Sequence, residues 1–336
     1  MARKHAVALA VMLVALAAAS GALAQNAGVA PPSSASESGH AIKQIYWVVF
    51  AACAFVFVAV EATLVLFVLR FRRRRGVPED AEGPQIYGNT RLEVIWTIVP
   101  ALILVALAVY TFARVPAVEA SGEKDEAMPV RVESHQFYWQ YVYPNGAITL
   151  DTLRLPLDRP VALELTSFDV NHSWWVPELT GKRDAIPGRL NVLRFRPTRA
   201  GTFENGKCAE HCGIQHAVML TKVEVIPAEE FDAWVEEEAA RQQGGSMGLG
   251  QSTWEAACAK CHGFEGEGGV GPPIAGNGTL TNREGLVRLL EEGQDTDSFP
   301  SYMPPVGRGW PARQVSSLIA YIRSNETLAP TDGDDG

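Results

Sequence analysis

The chain has 336 residues, of which 47% are hydrophobic, and a formal net charge of −9 at pH 7. This length suggests two or three domains, and the negative charge argues against nucleic acid as a partner. The mean hydropathy lies near zero, which is high for a soluble protein and indicates membrane segments mixed with polar domains.

The N-terminal residues have the composition of an export signal. The basic start Arg3-Lys4-His5 precedes an almost wholly apolar stretch, residues 6–19, and Ala22-Leu23-Ala24 offers a small-residue cleavage site. These features predict a signal peptide over residues 1–24. An uncleaved anchor is disfavoured because the apolar stretch is short. Residues 25–42 are rich in Ala, Ser, Pro and Gly, which predicts a flexible exposed leader.

Two long apolar runs follow, at about residues 45–69 and 94–113, and predict a transmembrane hairpin over residues 43–115. Twenty helical residues rise about 30 Å, which is one hydrocarbon thickness. Five arginines between residues 70 and 75 predict that the connecting loop faces the cytoplasm. We therefore expect a bacterial cell-membrane protein, surrounded by lipid, whose N-terminus and C-terminal domains face the periplasmic or outer side.

Residues 128–226 show the alternation of apolar and polar residues that is typical of strands. The clearest alternating segments are Val130–Glu133, Ala162–Leu165, Val192–Phe195 and Leu220–Val225. Turn signals such as Pro144-Asn145-Gly146 and Pro187-Gly188 lie between them. Short strands at this spacing predict an all-β sandwich.

The C-terminal third is predicted to be helical. Residues 228–250 combine a charged amphipathic helix over 228–242 with a Gly-rich segment that predicts a flexible linker. Residues 251–325 predict a compact domain with helical ends, and residues 326–336 an acidic, disordered tail. The final helix repeats apolar residues at helical spacing, namely Val315, Leu318, Ile319 and Ile322.

One loop of the predicted sandwich has the donor atoms that copper selects. Cys208, Cys212, His216 and Met219 follow one another at intervals of four, four and three residues, and His172 lies upstream. Soft sulfur ligands with imidazole favour copper, and each of two thiolates can bridge two ions. A disulfide or a tetrahedral zinc site is the alternative for such cysteines, and Met219 disfavours it.

A second cysteine pair predicts a covalent haem. The segment Cys258-Ala259-Lys260-Cys261-His262 has the attachment signature of a c-type haem, with His262 as an axial iron ligand. A methionine as the second axial ligand raises the haem potential. Met303 and Met247 are the candidates, and we favour Met303. A chance match or a thioredoxin-like motif is the alternative, which the final helix and a distant methionine disfavour.

The sandwich and hairpin resemble subunit II of cytochrome c oxidase, in the haem-copper oxidase family. The resemblance rests on the copper loop Cys208–Met219 with His172, on Val176–Arg189, and on Leu92–Pro100, and it spans residues 40–226. The segment Gly271-Pro272-Pro273-Ile274 also resembles a class I cytochrome c. Together these features look like the fused-cytochrome, caa-type variety. The resemblance implies a two-helix transmembrane hairpin, a cupredoxin-like sandwich with a dinuclear CuA centre, and a C-terminal all-α cytochrome c domain.

The family carries specific roles onto residues of this chain. The implied CuA ligands are two bridging thiolates, two capping imidazoles, a thioether and a backbone carbonyl, from Cys208, Cys212, His172, His216, Met219 and Glu210. The Glu210 carboxylate is expected to reach a magnesium ion at the interface with subunit I. Thioether bonds from Cys258 and Cys261 hold the haem c.

Two further roles follow from the resemblance. In many family members a tryptophan near CuA receives the electron from soluble cytochrome c. This chain has Phe137 at that place and Trp139 two residues on, which suits a chain that carries its own donor; core packing is the alternative. Glu93 matches a glutamate at the mouth of a proton path into subunit I, and its alternative is a favourable acid in the first turn of a helix.

The resemblance implies the subunit through which electrons enter a proton-pumping respiratory oxidase. The donor is external, a cytochrome c or a quinol–cytochrome c reductase complex, and the electrons pass through haem c and CuA to subunit I, with subunit III as a further partner. The chain has no set of intramembrane histidines, so we expect no catalytic residue for dioxygen chemistry in it. A CuA-bearing subunit of a nitric oxide reductase and a membrane-tethered copper or redox module are the alternatives. The copper ligands exclude a quinol oxidase subunit.

Overall fold

The computed structural model describes residues 30–72, 85, 87–119, 126–295 and 302–329. The predicted signal peptide, three of the five arginines and the end of the acidic tail lie outside the described residues. The chain divides into two compact units. One unit is Ala41–Ala117, and the other contains the residues on either side of it.

The first unit consists of two long apolar helices, α1 Glu37–Phe71 and α2 Thr90–Glu119. Both are long and apolar enough to cross a membrane, with mean hydropathies of 2.6 and 2.5 in their most apolar windows. The predicted spans 45–69 and 94–113 lie inside them. The helices are longer than predicted because hydropathy marks the apolar part of a helix, whereas backbone hydrogen bonding continues into its polar ends.

The second unit contains a sandwich of two five-stranded sheets. Its strands are β1 Met128–His135, β2 Tyr138–Val142, β3 Ile148–Leu150, β4 Thr152–Pro156, β5 Val161–Ser167, β6 His172–Trp175, β7 Arg183–Ala185, β8 Asn191–Phe195, β9 Gly201–Cys208 and β10 Leu220–Ile226. The strand orders are β3-β2-β1-β5-β8 and β4-β10-β9-β6-β7. The four alternating segments fall in β1, β5, β8 and β10, which confirms the predicted sandwich.

Strand alternation decides which side chains face the functional regions. Successive side chains of a strand point to opposite faces of its sheet. On β2, Trp139 therefore joins the core between the sheets, where Leu163 and Val223 also lie. Its neighbour Tyr138 points to the other face and belongs to a separate apolar cluster with Leu318 of the C-terminal domain.

The C-terminal domain is helical, as predicted. Its elements are α3 Ala228–Gln242, α4 Met247–Thr253, a π-helical turn Trp254–Cys258, α5 Ala259–His262, a 3-10 turn Gly278–Leu280, α6 Arg283–Glu292, the strand pair β11 Gln294–Asp295 and β12 Tyr302–Met303, and α7 Ala312–Ser324. The four apolar residues predicted for the final helix are all buried in α7.

The Gly-rich segment differs from the predicted flexible linker. Most of it belongs to α4, which Ser246 caps by accepting a hydrogen bond from the Leu249 amide. Leu249 and Gly250 are buried. A Cβ at Gly250 would lie 2.1 Å from the Ser317 carbonyl oxygen of α7. This glycine therefore serves a close helix–helix approach, which composition alone does not distinguish from flexibility.

The described end of the predicted leader is ordered rather than flexible. Ala35 and Ser36 are fully buried. The Ala35 amide donates to the Glu178 carbonyl at 2.8 Å, and the Thr198 amide donates to the Ala35 carbonyl at 2.8 Å. Composition does not reveal the order at this end of the leader, because the hydrogen-bond partner of Ser36 lies 143 residues away in sequence.

Candidate functional site

Strand ends bring the predicted copper ligands together. His172 begins β6 and Cys208 ends β9, while Met219 directly precedes β10. Between them the loop carries Cys212 and the 3-10 turn His216–Val218. The Cys208 amide donates to the Met219 carbonyl at 2.9 Å, which closes the base of the loop. The sandwich therefore fixes both ends of the ligand loop.

The two thiols lie at the centre of the site. Their sulfur atoms are 3.9 Å apart, far beyond a disulfide bond length of about 2.05 Å. The Cys208 sulfur is 3.8 Å from Nδ1 of His172, and the Cys212 sulfur is 3.6 Å from Nδ1 of His216. Each thiol thus has one imidazole beside it, and no disulfide joins the two cysteines in this structure.

A thioether and a carbonyl complete the donor set. Met219 Sδ lies 3.1 Å from His172 Nδ1 and 3.8 Å from the Cys212 sulfur. The Glu210 carbonyl oxygen lies 3.1 Å from the Cys208 sulfur. Donor atoms of all six predicted ligand residues therefore converge on one place. This set of thiolate, thioether, imidazole and carbonyl fits copper, and one Met beside two Cys and two His exceeds what tetrahedral zinc needs.

Asp169 orients the His172 ring, and the sequence analysis did not identify it. Its Oδ1 lies 2.8 Å from Nε2 of His172, and its Oδ2 accepts a hydrogen bond from the Gln136 amide at 2.6 Å. With Nε2 donating to the carboxylate, the Nδ1 lone pair faces the sulfurs. The sequence signal for this role was the position of Asp169. It is a polar residue three positions before a predicted ligand, in the turn that precedes the strand of that ligand.

The electrostatics of the site favour a thiolate. The hydrogen bond from the Cys212 thiol, together with that from His172, outweighs burial and lowers the pKa of Cys208 to about 3. Burial by itself lowers the pKa of His172, but hydrogen bonds to Asp169 and Cys208 raise it above its usual value. Deprotonated sulfur is the form that binds a metal.

The haem motif borders an apolar cleft that also holds the predicted axial methionine. The cleft is lined by Ala257, Cys261, His262, Gly271, Pro272, Tyr302, Met303, Pro304 and Val306. Short strand β12 holds Met303 by pairing it with Gln294. Met247, the other candidate, is 48% exposed on α4 and does not line this cleft.

His262 is held in the orientation that an iron ligand needs. Its Nδ1 lies 2.7 Å from the Pro272 carbonyl oxygen, which leaves the Nε2 lone pair free for the cleft. A Cβ at Gly271 would lie 2.8 Å from Cε1 of this ring, so only glycine fits there. An imidazole, a thioether, two thiols and apolar walls fit a covalently bound haem c. The Pro272 carbonyl is a backbone group, so residue types gave no signal for it.

Comparisons with known proteins agree with this geometry. Residues 24–113 and 148–226 match the transmembrane and periplasmic domains of the family described as "Cytochrome C oxidase subunit II". The "Cytochrome c oxidase subunit 2" of Alkalihalophilus pseudofirmus is 33% identical over an alignment that covers 82% of this chain and 84% of that protein. The chain belongs to the cytochrome c oxidase subunit II family.

The same comparisons extend to the haem domain and to a relative with another name. Residues 246–322 match "Cytochrome C oxidase, cbb3-type, subunit III". The "Quinol oxidase subunit 2" of Bacillus subtilis (strain 168) is 32% identical, covering 62% of this chain and 66% of that protein. The crystal structure of the periplasmic domain of cytochrome oxidase subunit II of Bradyrhizobium japonicum is 28% identical, with a TM-score of 0.33, and covers 34% of this chain and 96% of that one.

This subunit II is therefore a membrane-anchored protein with a periplasmic sandwich and a fused cytochrome domain. The matches favour an oxidase over a nitric oxide reductase subunit or an isolated redox module. Relatives named cytochrome c oxidase subunit 2 and relatives named quinol oxidase subunit 2 are both among the matches.

Both aromatic residues predicted near the copper loop lie against it in this subunit II. The Trp139 ring is fully buried, 6.0 Å from the His172 ring and nearly perpendicular to it. Phe137 is 6% exposed, and a Cβ at Gly213 would lie 3.0 Å from its Cζ. Their sites on the sandwich are compatible with an electron path and with core packing.

The two predicted acidic residues have different surroundings. The Glu210 side chain is exposed, and its neighbour His211 is exposed as well, with its ring 5.6 Å from that of His216. Glu93 lies in the first turn of α2, where its Oε1 accepts a hydrogen bond from the Asn89 amide at 3.3 Å. This contact is the helix-start role that the sequence analysis kept as the alternative for Glu93.

Proposed function

We propose that electrons enter a respiratory cytochrome c oxidase through this chain. With haem c and copper bound, the chain would pass electrons from an external donor through its haem site and its dinuclear CuA site to subunit I, which reduces dioxygen to water with proton pumping. The observation that carries this proposal is the convergence of six copper donor atoms in the same compact unit as the haem cleft. Copper and haem supply the one-electron chemistry, and this chain's residues hold and orient them.

In the copper site, Cys208 and Cys212 would supply the two shared thiolates, because their sulfurs occupy the centre of the donor set. His172 and His216 each cap one side, since each ring nitrogen lies beside a different sulfur. Met219 and the Glu210 carbonyl supply the two weak remaining ligands. A rigid loop between strands keeps these positions nearly fixed, which lowers the reorganisation that electron transfer requires.

In the haem site, Cys258 and Cys261 would form the thioether bonds, and His262 and Met303 would bind the iron. The Pro272 carbonyl holds the His262 ring. A thioether opposite the imidazole raises the haem potential. Phe137 and Trp139 belong to the electron path because both rings adjoin the copper loop.

The remaining assignments concern partners. The exposed Glu210 carboxylate binds magnesium at the interface with subunit I, and subunit III completes the complex. A basic donor, either a cytochrome c or a quinol–cytochrome c reductase complex, suits the haem domain, whose residues 246–336 carry twelve acidic and six basic side chains. The role of Glu93 at the mouth of a proton path stays a prediction. Its carboxylate also accepts a hydrogen bond from the Asn89 amide.

The test is a near-infrared and EPR spectrum of the purified membrane complex with a pyridine haemochrome assay. A mixed-valence copper signal together with c-type and a-type haems is the expected result. Copper and haem c without any a-type haem would contradict the oxidase and favour the reductase or an isolated module.

A further inference from the structure

The cytochrome domain is packed against the sandwich rather than tethered beside it. Tyr138 and Ile148, from β2 and β3, share one buried apolar cluster with Leu249, Trp254 and Leu318 of the helical domain. The contact surface is the face of the sheet that points away from the sandwich core. An apolar surface of this kind favours a fixed arrangement over a swinging one.

Buried polar groups fix the register of this contact. The Gln314 side chain of α7 is fully buried and donates to Gln140 Oε1 of β2 at 2.8 Å. Gln242 donates to the Ile148 carbonyl at 2.8 Å and accepts from the Ile148 amide at 2.9 Å, as a neighbouring strand does. Buried polar groups that lose their partners are costly, so these pairs specify one docked position.

This docking places the haem attachment segment beside the copper loop. The Lys260 ammonium group lies 2.5 Å from Asp151 Oδ2 and donates to the Phe137 carbonyl at 2.9 Å. From the other side, Gln215 Nε2 donates to the Lys260 carbonyl at 2.9 Å and lies 3.3 Å from the Cys261 sulfur. Two side chains of the sandwich, from Asp151 and Gln215, therefore contact the short helix that carries Cys261.

Gln215 occupies a special place between the two cofactor sites. It directly precedes His216, whose Nδ1 lies 3.6 Å from the Cys212 sulfur. Gln215 is only 7% exposed, and among the described residues its Oε1 has no hydrogen-bond partner. Gln215 therefore acts on the haem attachment segment through its Nε2 donor group. From the Cys261 sulfur to the imidazole of a copper ligand, the connection is one hydrogen bond and the covalent atoms of two adjacent residues.

We infer that Gln215 is the positioning residue that couples the haem attachment segment to the copper loop. Its side-chain amide holds the Cys261 sulfur one residue away from His216, and this contact carries the electron from the reduced haem iron to the oxidised copper pair. One electron leaves the haem and arrives at the copper, and no bond forms or breaks. This inference rests on the proposed function, and it names the route by which the electron passes from the haem site to the copper site.

The experiment compares Gln215→Leu and Gln215→Glu with the unchanged complex. Both variants keep the approximate size of the side chain and lose its N–H donor. The control is Gln251→Leu, because Gln251 is exposed and its side chain donates to Glu255 one turn further along the chain. A photoexcited ruthenium complex reduces haem c, and the decay of reduced haem and of the oxidised-copper near-infrared band gives the internal transfer rate.

Three further measurements distinguish a loss of electron-transfer coupling from structural damage to the copper site, the haem site or the attachment segment. They are the copper EPR spectrum, the haem midpoint potential, and hydrogen exchange of the amides of residues 258–262. We expect both Gln215 variants to slow the internal transfer several-fold while these three readouts and the control stay unchanged. An unchanged transfer rate in both Gln215 variants would overturn the inference, as would a slower rate that only accompanies lost hydrogen-exchange protection. A wild-type complex without the copper band would instead contradict the proposed function.

Discussion

The copper loop contains one thiol whose pKa is lowered, whereas both thiols of the haem motif have raised pKa values. At the copper loop, the Cys212 thiol donates a hydrogen bond that lowers the pKa of Cys208 to about 3. At the haem motif, burial raises the pKa of Cys258 to about 12 and also raises that of Cys261. The Cys208 thiol is thus prepared to release its proton to a metal, whereas the neighbouring Cys208 and burial raise the pKa of Cys212. Both thiols of the haem motif favour the neutral form.

The two sites also differ in how their ligands are assembled. Copper donors come from the ends of β6 and β9 and from the start of β10, so the sandwich must fold before they meet. The haem donors are mostly local, because one short helical segment carries both thiols and His262, and only Met303 comes from a distant strand. The copper site is therefore more sensitive to changes in its supporting residues.

The largest expected effect is a change at the cysteine pair of the copper loop that leaves the cysteine pair of the haem motif unaffected. Cys212→Ser removes a bridging thiolate, so we expect loss of the mixed-valence copper signal with haem c still attached. EPR and copper content, beside a pyridine haemochrome assay, measure this. Cys53→Ser, at an exposed cysteine of α1, is the control. Retention of the mixed-valence spectrum would contradict a bridging role for Cys212.

The next effect concerns the one haem donor that is distant in sequence. Met303→Ala should leave the haem covalently attached but change its spectrum and lower its midpoint potential, because a Met/His-ligated iron has a raised potential. Spectroelectrochemistry gives both quantities, and Met247→Ala is the matched control because Met247 is half-exposed on α4. An unchanged spectrum and potential would exclude Met303 as the ligand.

A smaller effect is expected from the residue that orients a copper ligand. Asp169→Asn weakens the hold on the His172 ring, and loss of such a partner costs about 10–100-fold in metal affinity. Competition with a chelator measures the copper Kd. Asp158→Asn is the control, since Asp158 is exposed and its positive φ of 56° suits asparagine too. Equal affinities for both variants would show that Asp169 does not support the site.

The smallest effect is a pH dependence at the domain contact. Burial, only partly offset by Gln140 and Arg131, raises the pKa of Glu133 above its usual 4.5. The folded chain then binds a proton more tightly than the unfolded chain, so the free energy of unfolding falls as pH rises from 4.5 through the raised value. Glu133→Gln removes this fall.

Denaturant titrations of the full chain at several pH values measure that slope. The stability of the Glu133→Gln variant relative to wild type should increase with pH across this window. Glu204→Gln, at an exposed glutamate of β9, should follow the wild-type curve. Parallel curves for wild type and Glu133→Gln would show that Glu133 does not titrate differently in the folded state.

The sequence by itself determined the features that depend on local pattern. Hydropathy marked both membrane helices, alternation marked the sandwich, and residue type with spacing marked the candidate ligand residues of both sites. These signals are strong because a bilayer span, a half-buried strand and a metal-binding loop each restrict residues that are near one another in the chain.

Only the tertiary structure decided which distant groups support those sites. The role of Asp169 is visible only in its contact with the His172 ring, and that of Gly250 only in its approach to the backbone of α7. The role of Gln215 depends on its contact with the Cys261 sulfur, 46 residues away in sequence. The order at the described end of the leader and the packing of the cytochrome domain on the sandwich also depend on contacts between distant segments. Hydrogen bonds and close packing between remote segments leave no periodic trace in a single sequence, so these features required the fold.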